Sequence, residues 1–197
     1  MAWSPLDREA PYRYIRRAIE RFKENHGKVI VEIGCMRMKF NHPIEVEPED
    51  CPTRLDGHST VHFAATGAEF YTVDINPDAV RLASEYTSGY KNTRVLCKDG
   101  IHFLHNFGKR IDLLFLDAWD VDLPDCAAKH LEAYNTAIKR MAKQSIILID
   151  DCDVSYICGK LQPSAIPYGG KGELVVPKAL TDGWKEELRG RCVLLWR

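Results

Sequence analysis

The chain has 197 residues, of which 45% are hydrophobic, and a formal net charge of −1. That length can bury one sizeable core but falls short of two full domains, so one domain over residues 1–197 is expected. The near-neutral balance and scattered basic residues exclude the footprint of a protein that neutralises a phosphate backbone. No apolar run reaches the length of a bilayer span, and Met1, Ala2, Trp3, Ser4 and Pro5 lack a basic-then-apolar leader pattern. The expected partner is a small molecule, with neither nucleic acid nor membrane, and the expected location is cytoplasmic. Seven cysteines at irregular spacing are an odd count and read as small apolar fillers.

In chain order, Tyr12, Ile15, Ile19 and Phe22 recur at helical spacing between a cap at Asp7 and a stop at Gly27. This opening helix carries an aromatic face that could pack against a second subunit in a homodimer. Val29 to Ile33 is a short apolar run, as a strand buried on both faces would be. Phe70 to Asp74, Arg94 to Cys97, Ile111 to Asp117 and Ser145 to Asp150 have the same look, with helical composition between them. Such alternation predicts a mostly parallel sheet with helices on both faces. Trp184 to Leu188 and Cys192 to Trp196 flank Arg189-Gly190-Arg191 and predict an antiparallel C-terminal hairpin. The expected fold is therefore α/β, Rossmann-like and seven-stranded. Residues 35–56 and 158–172 break the alternation and are expected to be substrate-side loops.

Carboxylates recur at the ends of the predicted strands, where they cost desolvation unless a cation, a ribose or a helix N-terminus receives them. Asp74 stands where a nucleoside-binding sheet contacts ribose hydroxyls, and a helix cap ahead of Pro77 is the competing role, which Asn76 could also fill. Asp117, Asp150 and Asp151 belong to strands expected to be neighbours. Together they could hold a hard cation such as Mg²⁺, or one of the Asp150-Asp151 pair could cap a helix. The first strand is followed by Gly34-Cys35 and not by a G-x-G-x-x-G turn. A split turn would let Gly57-His58-Ser59-Thr60 re-enter at a helix start and receive a carboxylate. Cys35, His42, Cys51 and His58 are zinc-ligand types without a C-x-x-C pair.

The set Val31-Glu32-Ile33-Gly34, Gly57-His58-Ser59-Thr60, Val73-Asp74-Ile75-Asn76-Pro77-Asp78, Phe115-Leu116-Asp117-Ala118-Trp119 and Ile149-Asp150-Asp151, in that order, resembles the metal-dependent small-molecule O-methyltransferases of the catechol and macrolide-sugar types. The resemblance implies an S-adenosylmethionine-dependent enzyme with Mg²⁺ held by Asp117, Asp150 and Asp151. It implies that Glu32, Gly34 and Ser59 hold the methionyl part, Asp74 the ribose, Asp99 and Gly100 the adenine border, and that Trp119 packs on the adenine. Gly57, Thr60, Ile75 and Asp117 complete the cofactor contacts. Where the family has a lysine or histidine base, three residues after the first metal aspartate, this chain has Asp120, so Lys171 and His58 are further candidates for the base. Two other readings stay open. One is a nicotinamide-dependent reductase on a similar sheet; the other is a non-catalytic cofactor-binding protein.

Overall fold

The computed structural model describes residues 11–39 and 58–197; the expected cap at Asp7, together with Gly57, His42, Cys51 and most of segment 35–56, lies outside the described residues. Helix α1 (Tyr12–Glu24) leads into β1 (Val29–Ile33), α2 (Ser59–Ala64), β2 (Glu69–Asp74), α3 (Pro77–Thr87), β3 (Thr93–Cys97) and α4 (Gly100–Asn106). Then come β4 (Ile111–Leu116), α5 (Cys126–Ala137), β5 (Met141–Ile149), β6 (Val154–Ile157), β7 (Lys160–Pro163), α6 (Val175–Thr181), β8 (Lys185–Leu188) and β9 (Val193–Trp196). Seven strands form one sheet in the order β3-β2-β1-β4-β5-β9-β8. The first five run parallel, and β9 pairs antiparallel with both β5 and β8.

Branched apolar residues make β1, β4 and β5 the middle of this sheet. Ile30, Val31, Leu113, Leu114, Ile147 and Leu148 are fully buried, which requires helices on both faces. Because β1 lies between β2 and β4, the chain's crossovers leave in opposite directions there. A crevice therefore opens beyond the carboxyl ends of β1 and β4. On α1, Tyr14, Ile15, Ala18 and Phe22 pack with Ile30, Phe70, Phe115 and Leu148, so the face expected to meet a second subunit is used within the chain.

One element departs from the expected loop at 158–172. Strands β6 and β7 form a separate two-stranded sheet in which Ile157 pairs with Lys160. Its two-residue turn is Cys158 and Gly159, with φ 51° and 76°, as a tight hairpin twisted with its strands demands. Among the described residues, no helix is long and apolar enough to cross a membrane. The described cysteines are free, with Cys35, Cys126, Cys152 and Cys192 buried as apolar fillers.

Gly34 sets how closely the ends of β1 and β4 approach. Its φ is +92°, and a Cβ there would lie 2.7 Å from the backbone nitrogen of Ala118. Gly34→Ala is expected to lower stability by at least about 1–3 kcal/mol, read as an earlier urea midpoint at unchanged m-value.

Candidate active site

Beyond the strand ends lies a cavity of about 340 Å³, lined by Gly34, Asp74, Ile75, Asp99, Gly100, Asp117, Trp119 and Asp120 among others. Asp74 ends β2 with its carboxylate towards this space. Its Oδ2 accepts a hydrogen bond from the Cys35 amide at 3.1 Å and its Oδ1 one from the Asn76 amide at 2.8 Å. The helix-cap role falls to Asn76, whose side chain accepts from the Asp78 amide, so Asp74 is not used as the α3 cap. Asp99 caps α4 by accepting from the His102 amide at 2.7 Å. At Gly100 a Cβ would come within 2.4 Å of Ile33 Cγ2 and 3.6 Å of the Trp119 ring, so a glycine keeps this corner open. The Trp119 ring stands edge-on to His130, 5.2 Å between centroids. Burial, helped by the charge of Lys171, pushes the His130 imidazole down to about 3, so it is neutral. Its Nδ1–H donates to the Cys126 carbonyl at 2.9 Å.

Glu32, Ser59 and Thr60, expected among the cofactor contacts, are joined to one another by hydrogen bonds. They do not line the cavity: Glu32 is part of β1, and Ser59 and Thr60 open α2. Glu32 is fully buried, and its carboxylate accepts from Ser59 Oγ at 2.6 Å, Thr60 Oγ1 at 2.7 Å and Thr72 Oγ1 at 2.5 Å. Thr60 Oγ1 also accepts from the Met36 amide at 2.9 Å, tying the segment after β1 to the start of α2. Burial pushes Glu32 up to about 8, against the pull of the three hydroxyls.

Asp117, Asp150 and Asp151 do converge, with one ligand atom from each inside 4.8 Å of the others. What compensates them comes from the chain itself. Lys171 Nζ donates to Asp117 Oδ1 at 2.5 Å and to the Asp117 carbonyl at 3.1 Å, and it lies 3.0 Å from Asp151 Oδ2. Its side chain is 0% exposed. Arg191 holds Asp150 through Nε and Nη2 at 3.2 and 3.3 Å, and Cys192 Sγ donates to the same carboxylate at 3.0 Å. Burial works against the Lys171 charge, but the three carboxylates raise its pKa well above the ordinary value.

Lys171 can therefore not accept a proton, which removes it as the base. His58 is buried at the start of α2 and lines neither this cavity nor its neighbour. Asp120 remains at the cavity mouth, paired with Arg37 at 2.8 Å. Burial alone would raise its pKa, but the Arg37 hydrogen bond and charge outweigh that and hold it lowered and ionised. A second cavity of about 580 Å³ adjoins the first and shares Leu123 with it. Val121, Pro124, Tyr156, Ile157 and Ile166 supply its apolar lining, and Asp122 and Glu173 its charges. Sequence reasoning missed Arg191 and this hairpin wall. The alternation Val154-Ser155-Tyr156-Ile157 before Cys158-Gly159 was the available signal for the hairpin.

Residues 55–152 match a family model described as a methyltransferase domain. Just under half of the chain is thus similar to a methyltransferase domain, and the fold is the Rossmann-like one of S-adenosylmethionine-dependent methyltransferases. Its fold is that of the O-methyltransferase NovP, with 12% identity over 95% of this chain and 79% of that one and a TM-score of 0.60. It is also that of the SAH-bound methyltransferase PaMTH1 from Podospora anserina, with 16% identity over 93% and 78% and a TM-score of 0.58. An rRNA methylase from Streptococcus thermophilus aligns over 100% of this chain and 97% of its own, at 13% identity and a TM-score of 0.55. No curated protein matches the chain.

The cavity suits a nucleoside cofactor, because Asp74 and Asp99 bring acceptors to it and Gly34 and Gly100 line it without side chains. The divalent ion implied by the family resemblance does not fit. An ion on these oxygens would lie roughly 4 Å from the Lys171 ammonium, a repulsion on the order of 8 kcal/mol at an effective dielectric constant of about 20. All three carboxylates already have cationic partners in the chain itself.

Glu32 gives the protein a pH signature. Its folded pKa of about 8 exceeds the ordinary 4.5, so folding retains a proton in that window. The stability this proton linkage contributes is complete below about 4.5 and lost as pH rises through about 8. Glu32→Gln is expected to flatten that loss, measured as unfolding temperature for both proteins from about pH 5 to about pH 9.

Proposed function

We propose that the chain transfers a methyl group to an oxygen of a small, largely apolar hydroxylated molecule. The observation that carries this reading is the second cavity, which meets the cofactor cavity at Leu123 and is lined by apolar side chains with two exposed acids. Among the described residues, no lysine or arginine lines it. A phosphodiester backbone needs cationic partners, so this lining argues against RNA as the acceptor. Apolar walls with a few polar groups suit a small organic molecule.

In this reading Asp74 accepts from the ribose hydroxyls, Asp99 and Gly100 border the adenine, and Trp119 packs on it. Gly34 and Ile75 contribute backbone and apolar contacts. S-adenosylmethionine, when bound, supplies an electrophilic methyl group. The residues of the second cavity orient the acceptor hydroxyl towards Leu123 and exclude water. Asp120, ionised at the junction, takes the hydroxyl proton on its carboxylate. A carboxylate held down by Arg37 is a weak base, so positioning carries most of the acceleration.

Calorimetry with S-adenosylhomocysteine tests the cofactor half: Asp74→Ala is expected to weaken binding at least about tenfold, equivalent to about 1.4 kcal/mol. Transfer of labelled methyl to a panel of phenols, hydroxylated heterocycles and sugars, with an rRNA transcript alongside, tests the acceptor half. With an accepted substrate, Ala127→Phe, which narrows the second cavity, is expected to raise KM about tenfold while the S-adenosylhomocysteine affinity stays within about twofold. Labelling of the transcript alone would overturn the small-molecule reading.

A further inference from the structure

We propose that Lys171 is the resident cation of the acidic centre, so that the protein neither needs nor holds a divalent metal there. An ammonium has three donors, and all three contacts of Lys171 Nζ are accounted for by Asp117 Oδ1, the Asp117 carbonyl and Asp151 Oδ2. Its side chain is wholly enclosed, in contrast to the solvated position ordinary for a loop lysine. Arg191 and Cys192 take up Asp150, the remaining carboxylate. Two chain-borne positive charges thus stand against three negative ones, and each carboxylate has a charged partner.

The local sequence is built to deliver this lysine. It sits in Gly169-Gly170-Lys171-Gly172, whose backbone lies directly on residues 151–154. A Cβ at Gly169 would be 2.4 Å from the Val154 carbonyl, one at Gly170 2.4 Å from the Asp151 carbonyl, and one at Gly172 2.6 Å from Cys152 Sγ. The Gly169 amide donates to the Cys152 carbonyl at 2.7 Å, and Gly170 has φ +44°. Side chains on either side of Lys171 would lift the loop away and withdraw the ammonium from the carboxylates. A Cβ at Gly169 would also meet the Ser164 side chain at 2.6 Å, so these glycines bring the loop close enough for one charged side chain to reach inward.

The test follows Mn²⁺ by electron paramagnetic resonance with the intact protein, together with thermal unfolding of Lys171→Met and of Lys171→Met combined with Asp117→Asn. Neither readout involves methyl transfer, so each stands whatever the acceptor proves to be. Expected results are a free-Mn²⁺ signal undiminished by equimolar wild-type protein or diminished only by sites that Asp117→Asn leaves intact, a lower unfolding temperature for the single variant, and partial recovery in the double variant. Uptake of one Mn²⁺ per wild-type chain that a folded Asp117→Asn variant loses would overturn the proposal. So would a Lys171→Met protein as stable as wild type, or a double variant no more stable than the single.

Discussion

Three carboxylates at the ends of two adjacent buried strands repel one another, and the centre of this sheet can close only if that repulsion is met. Asp117 follows β4, and Asp150 and Asp151 follow β5, the two strands whose pairing continues the parallel core. Lys171 and Arg191 answer them from the C-terminal part of the chain, one from the glycine loop after β7 and one from the segment before β9. A buried ion pair of this kind adds little over a well-packed apolar substitute, but removal of one partner leaves an uncompensated charge. The arrangement is thus a constraint on what can be changed more than a source of stability.

The rest of the site hangs from this centre. Lys171 holds both the carboxylate and the carbonyl of Asp117, the first residue of the turn that carries Trp119 and Asp120 along the cofactor cavity. Gly34 lets that turn lie against the end of β1, and the neutral His130 supports the indole from its edge. The same loop that delivers Lys171 connects to the β6–β7 hairpin, whose Tyr156 and Ile157 wall the second cavity. Cofactor side and acceptor side are joined through a few residues around position 120.

Much of this was legible in the sequence. The buried strands announce themselves because a strand covered on both faces has to be an apolar run, and β1 falls on the predicted residues from Val29 to Ile33. Asp74 could be placed because the crevice of such a sheet always opens at the strand ends, whereas Asp99, Gly100 and Trp119 were implied by the family resemblance. Convergence of Asp117, Asp150 and Asp151 was likewise readable from strand adjacency. The identity of their cation was not, because a lysine in a glycine-rich loop has the same local pattern whether it points to water or inward. Only the contacts that the missing Cβ atoms permit tell the two apart. Glu32 was less legible for a related reason: a carboxylate at a strand end can face the crevice or turn back on hydroxyls, and here it accepts from Ser59, Thr60 and Thr72.

The partners in this centre are far apart along the chain, 54 positions between Asp117 and Lys171 and 41 between Asp150 and Arg191. A ribosome emits the acids first. While residues up to about 160 are all that has emerged, the strands that form the middle of the sheet carry unpaired negative charge at adjoining ends, and their closure stays unfavourable. Residues 171–197 bring both counter-charges and the antiparallel strand β9 that covers the edge of β5. A chain cut before residue 171 lacks both counter-charges, whatever the length of its hydrophobic core.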